Sequence, residues 1–163
     1  MLTIEPAVAT DLPLIQQLIQ ELAEYERLAH EAIATREDLA AALFGATPRV
    51  YCDIARWQGE AAGMAIWFYN FSTFRGRHGL YLEDLFVKPA MRGKGVGAAL
   101  LKHLAARCVR ERLGRFEWSV LDWNEPAIGF YRSLGAQPMQ EWSAWRLDGE
   151  ALQQLGQLRP QTR

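Results

Sequence analysis

Cysteine is nearly absent: the 163-residue chain has only Cys52 and Cys108. Two thiols cannot build a disulfide framework or a metal cluster. We read both as small buried apolar side chains in a reducing compartment. A surplus of one charge is also lacking. Eighteen Lys and Arg stand against nineteen Asp and Glu, a net charge of -1, which argues against a partner bound through its phosphates such as nucleic acid. No apolar run reaches the length of a membrane span. The residues Met1 to Pro6 lack the charged and apolar regions of a signal peptide, so a cytoplasmic location is expected. His30, His78 and His103 are scattered without ligand spacing, and no metal is expected. No repeat, low-complexity tract or Gly/Pro/Ser-rich linker interrupts the chain, which reads as one domain over 1–163.

What is there is a mixture of helical and strand patterns. Thr10-Asp11-Leu12-Pro13 reads as a helix start with Thr10 as N-cap. Leu14, Ile15, Leu18, Ile19 and Leu22 then share one helical face. Thr35 with Asp38 makes a capping box for a second helix that stops at Gly45. Residues 50–56 and 61–70 read as strands around a turn at Gln58-Gly59, and Leu80 to Val87 as a third. Val96, Leu100, Leu104 and Cys108 stack on a long helix from Val96 to Leu113. Phe116, Trp118 and Val120 alternate as in a strand. Asn124 caps a short helix with Pro126 in its first turn. Trp142 to Leu147 reads as a last strand, followed by a helix from Gly149. The fold class is α/β, of mixed α+β kind, with a partly parallel sheet.

Three segments carry chemistry. Arg92-Gly93-Lys94-Gly95-Val96-Gly97 lies between a strand and a long helix. Glycines at alternate positions permit a tight turn, and the free N–H groups of a helix start favour an anion. The spacing is neither a Walker A loop nor the dinucleotide fingerprint. A phosphate cradle and a plain basic surface turn both fit it. Upstream, Tyr81-Leu82-Glu83-Asp84-Leu85-Phe86-Val87 sets adjacent carboxylates in an apolar strand. Neighbouring strand residues point to opposite faces, so both cannot face solvent in a central strand. A carboxylate turned inward there is either ion-paired or raised in pKa. The third segment runs from Leu121 through Asn124-Glu125-Pro126-Ala127 to Phe130-Tyr131. Asn124 has a structural role as a cap, and Tyr131, seen alone, reads as a core or rim residue more readily than as an acid.

Taken together, Leu-Glu-Asp, Arg-Gly-x-Gly-x-Gly, and Asn-Glu-Pro-Ala followed by Phe-Tyr and Gly-Ala resemble the GNAT superfamily of acetyl-CoA-dependent N-acetyltransferases. Glu21 to Glu26, Tyr81 to Asp84 and Trp145-Arg146-Leu147 resemble its diamine (spermidine/spermine) acetyltransferase family, including the thialysine-type branch. The similarity runs from about Leu2 to Leu155.

The resemblance implies a central mixed sheet flanked by helices, with acetyl-CoA as co-substrate at a splayed strand edge. Arg92, Gly93, Lys94, Gly95, Val96, Gly97 and Ala98 match the pyrophosphate loop. Leu85, Phe86 and Val87 match the edge that pairs with the pantetheine arm, with an oxyanion donor among the N–H groups near Phe86 or Val87. Asn124, Pro126 and Ala127 match a second cofactor contact. Tyr131 matches the general acid, which also touches the cofactor, and Glu83 matches the residue that takes the amine proton through water. Tyr25, Glu26, Asp84, Glu117, Trp118 and Ser119 match substrate contacts. Ser72-Thr73 replaces the Asp-Pro of polyamine enzymes and agrees with the thialysine-type branch. Ser143-Ala144-Trp145 replaces Glu-Gly-Trp. These neutral positions favour a lysine-like amine such as thialysine over a polyamine or diamine. A homodimer is the family expectation. A non-catalytic acetyl-CoA-binding module is the rival from another class.

Overall fold

The computed structural model describes residues 1–157, so residues 158–163 of the expected domain lie outside it. The described residues fall into two compact units, one over Met1–Leu121 and one beginning at Asp122.

The first unit is built on a five-stranded sheet in the order β1-β2-β3-β4-β5. Its strands are β1 (Leu2–Pro6), β2 (Tyr51–Trp57), β3 (Glu60–Ser72), β4 (Arg77–Val87) and β5 (Phe116–Trp118). The first four are antiparallel, and β5 runs parallel to β4. Three helices join them: α1 (Leu12–Tyr25), α2 (Arg36–Phe44) and α3 (Val96–Arg110). The mixed, partly parallel sheet is as expected.

Side-chain alternation sorts the two faces. Cys52, Ile54, Met64, Ile66 and Phe86 form one core cluster with Ile15, Leu18 and Leu43 of α1 and α2. The opposite face carries a buried carboxylate. Asp53 is 2% exposed and accepts the indole N–H of Trp67 at 2.7 Å. Nε2 of His103 on α3 lies 3.7 Å from the same carboxylate, and the Arg107 guanidinium stacks 4.9 Å from the Trp67 ring centre. A buried polar group is stable when paired. This one ties α3, and with it the glycine loop at its start, to the middle of the sheet.

Several boundaries depart from the sequence reading. β1 has no counterpart in it. Thr10 is not the N-cap of α1; it sits in a 3₁₀ turn, Ala9–Asp11, whose entry is closed by Asp11 accepting the Val8 N–H at 2.9 Å. Thr35 and Asp38 do form the reciprocal capping box of α2. α3 stops at Arg110, because Arg112 takes a left-handed φ of 56° and Leu113 N–H reaches back to Cys108. β5 is only three residues, so Val120 lies outside it.

The second unit contains α4 (Glu125–Ser133), capped by Asn124 accepting the Ala127 N–H at 3.4 Å, and α5 (Gly149–Gln157). The segment Trp142 to Leu147 is not a strand. With no sheet partner its aromatic side chains stay in solvent, Trp142 78% and Trp145 94% exposed.

Candidate active site

β4 is irregular where its carboxylates lie. Its register on β3 runs Leu85 to Ala65, Asp84 to Ile66, then Leu82 to Trp67, so Glu83 has no opposite residue. Such a bulge resets the alternation of faces. Leu82 shares the α3 face with Trp67. Asp84, only two residues on, shares the opposite face with Ile66, where α1 packs. The two carboxylates do not both face solvent, as expected, but a bulge and not regular alternation separates them: Glu83 is exposed and Asp84 half-buried.

Asp84 titrates high, at about 6. Burial is the main cause, and the charges of Glu83 and then Glu26 add to it. Burial also raises Glu26, the residue after α1. The structure thus brings Glu26, Glu83 and Asp84 into one acidic neighbourhood. It faces a cation's needs, since like carboxylates oppose their own ionisation until a positive charge joins them.

The same strand has a free edge. β5 pairs only with Leu80, Tyr81 and Leu82, so from Glu83 onward β4 has no strand beside it on that edge among the described residues. Phe86 points its backbone at β3, where the missing side chain of Gly63 makes room; a Cβ there would meet the Phe86 oxygen at 2.4 Å. By alternation the backbone groups of Leu85 and Val87 point to the open edge. Of the two N–H groups expected as oxyanion donors, that of Val87 points to the open edge, and that of Phe86 is directed into the sheet.

The glycine loop follows a 3₁₀ turn at Pro89–Met91. Gly93 and Gly95 both hold φ of 77°, a left-handed conformation that side chains resist. Gly95 is the N-cap of α3, and no side chain caps that helix. Gly97 and Ala98 lie in its first turn, so the N–H groups of Val96, Gly97 and Ala98 are left for an external acceptor. Arg92 and Lys94 are exposed beside them. Arg92 donates Nε–H to the Val87 carbonyl at 3.2 Å and lies 5.0 Å over the ring of Tyr25. Lys94 sits 5.5 Å over the Trp57 ring. A helix start with open N–H groups, two cations and an unpaired strand edge suits a ligand that has both a diphosphate and an amide-bearing arm.

Other expected substrate residues have structural partners. Ser72 is 6% exposed, and its hydroxyl accepts the Arg75 N–H at 3.3 Å, closing the β3–β4 turn. Thr73 is exposed. Glu117 lies 2.6 Å from Nε of Arg115 and accepts from Asn70 at 3.1 Å. Ser119 shares a hydrogen bond with the Tyr81 hydroxyl at 2.9 Å. The ring of Trp118 packs edgewise on Phe116, 4.9 Å between centres. In the second unit, Pro126 and Ala127 form the first turn of α4, Asn124 is buried as its cap, and Tyr131 is half-buried on the same helix. A cavity of about 230 Å³ lined by Tyr51, Asp53, Trp67, Tyr69 and Arg107 includes none of these residues. No group of three or more potential metal ligands occurs among the described residues.

Comparison with known proteins gives this geometry a context. Residues 14–136 match the model of the acetyltransferase (GNAT) family. The thialysine N-epsilon-acetyltransferase of Bos taurus is 38% identical over 152 residues, covering 86% of this chain and 89% of its own. An L-ornithine N5-acetyltransferase of Arabidopsis thaliana is 32% identical, covering 93% of this chain and 86% of its own. Among solved structures, an integron cassette protein from the mobile metagenome of V. cholerae superposes with a TM-score of 0.80 at 28% identity, covering 96% of this chain and 98% of that one. On this match of sequence and fold, the chain belongs to the acetyltransferase (GNAT) family and is an N-acetyltransferase.

Proposed function

We propose that this enzyme acetylates the terminal side-chain amine of a lysine-like amino acid, with thialysine as the type substrate and acetyl-CoA as donor. The observation that carries the amine is the meeting of Glu26, Glu83 and Asp84 beside the bulge in β4. The amino-acid class is supported by relatives named for thialysine and ornithine, both of which carry such an amine on an amino acid. The neutral Ser72-Thr73 pair is a weaker support, since Ser72 is occupied in the turn.

Acetyl-CoA, when bound, supplies the thioester-activated acetyl group. Toward it we assign the loop Arg92 to Ala98 and the open edge of Leu85 and Val87, with Asn124, Pro126, Ala127 and Tyr131 from the family pattern. An alkyl ammonium has a pKa near 10.4, so the reactive neutral amine is scarce at pH 7. The acids hold the ammonium, and Glu83, exposed to solvent, takes its proton through water. Tyr131 holds the proton that the leaving group needs, at its phenolic oxygen. The family match spans residues 14–136 and so includes sequence from both units, which supports one N-acetyltransferase domain over the chain. We further propose a cytoplasmic homodimer acting on small molecules, without nucleic acid or membrane as partner. A near-neutral net charge supports the last point, and no described helix is long and apolar enough to cross a membrane.

The test is thiol release from acetyl-CoA over a panel of thialysine, lysine, ornithine, spermidine, putrescine and a lysine peptide. The amino-acid amines should show the highest kcat/KM. Spermidine outperforming every amino acid would make the enzyme a polyamine acetyltransferase. Tight acetyl-CoA binding with no turnover on any amine would leave a binding module.

A further inference from the structure

Tyr25 ends α1 beside Glu26, and the family pattern assigns both to the amine. Glu26 acts on Asp84, while the Tyr25 ring also meets a residue of the glycine loop. Arg92 is held on two sides: one edge of its guanidinium donates to the Val87 carbonyl at 3.2 Å, and one face rests over the Tyr25 ring at 5.0 Å. The remaining edge, with the terminal N–H groups, takes no side chain or carbonyl among the described residues. A flexible arginine fixed in this manner becomes a preset fork for two oxygens of a phosphate. Tyr25 is 39% exposed, so it covers Arg92 from the rim and not from the core. The fork stands next to Gly93, Gly95 and the open start of α3.

We propose that Tyr25 is a positioning residue for Arg92, so that the end of α1 sets affinity for the diphosphate of a CoA-type nucleotide. The inference rests on the reading that the loop Arg92 to Ala98 holds that nucleotide. It divides the end of α1 between two ligands. Tyr25 serves the nucleotide through Arg92, and Glu26, the next residue, serves the amine with Asp84. The cation–π contact also ties the conformation of this corner to the loop after β4, two segments far apart in sequence.

Calorimetric binding of CoA to the full chain tests this without turnover. Tyr25→Leu should weaken CoA binding about three- to thirtyfold, and Tyr25→Gln likewise. Tyr25→Phe keeps the ring face and should bind within about twofold of wild type on the same ground. In an Arg92→Ala background, Tyr25→Leu should add nothing, because its effect runs through the missing guanidinium. Wild-type CoA affinity in both Tyr25→Leu and Tyr25→Gln, or full additivity with Arg92→Ala, overturns the proposal. So does a change confined to the amine KM. Failure of the wild-type chain to bind CoA overturns the cofactor reading as well, which keeps the two failures apart.

Discussion

Asp84 is the residue whose titration reaches the stability of the whole chain. Its carboxyl is raised from the ordinary carboxylate range to about 6 by burial, then Glu83, then Glu26. The folded state therefore keeps a proton that the unfolded chain has already lost between about pH 4 and 6. Stability falls as pH rises through that window and is flat above it, with a total on the order of 1–3 kcal/mol. Asp84→Asn lacks this slope, so its advantage over wild type should grow from pH 4.5 to pH 7 in urea unfolding. Equal slopes for the two proteins would mean that Asp84 is well solvated. The same substitution should raise the amine KM, since the ammonium loses one of its acids. Tyr131→Phe is a second test at this scale. Loss of a general acid costs about 10²–10⁴-fold in kcat, with little change in acetyl-CoA affinity. A drop of less than about threefold would reduce Tyr131 to a packing role.

At the scale of elements, the proposed cofactor site rests on the glycine loop. Gly95 caps α3 with φ of 77°, and a β-branched side chain there is a strong outlier. Gly95→Val should cost about 1–2 kcal/mol of stability and weaken CoA binding further by disturbing the N–H groups of the first turn. Unchanged CoA affinity in the folded variant would remove the loop from the cofactor site. The start of α2 was legible because Thr35 and Asp38 satisfy each other locally, and the start of α3 because glycine spacing and helical periodicity meet there. The bulge was not legible. Glu83 is an ordinary residue for a strand, and its skipped register depends on how β3 and β4 pair over their full length. β1 was not legible either, because five residues ending in Pro6 offer too short a pattern. Trp142 to Leu147 is rich in aromatic residues without a period-two pattern, and no strand pairs with it among the described residues. The contact of Tyr25 with Arg92 joins residues 67 positions apart, a distance no local pattern spans.

For the molecule as a whole, the apolar surface of the second unit bears on assembly. Trp142 and Trp145 are largely exposed, and Leu152 and Leu155 of α5 are 48% and 57% exposed. Exposed apolar side chains of this kind are the material of an interface, and they give the homodimer proposed above a surface to test. Light scattering should give a dimer for wild type, with Trp145→Glu and Leu155→Glu moved toward monomer and acetyl-CoA binding retained. A monomeric wild type at micromolar concentration would oppose that proposal.

The short reach of β5 has a consequence for handling the ligand-free enzyme. An exposed stretch of strand edge is a template for pairing with another chain, and residues Glu83 to Val87 offer one. Two features already present blunt it: the charged bulge at Glu83 and the Arg92 bond to the Val87 oxygen. Glu83→Val, which removes the charge and adds β-propensity, should therefore precipitate more readily than wild type on storage, and CoA should suppress the precipitation. In deuterium exchange, the amides of Leu85 and Val87 should exchange faster than that of Phe86 in the free enzyme and slow once the nucleotide binds.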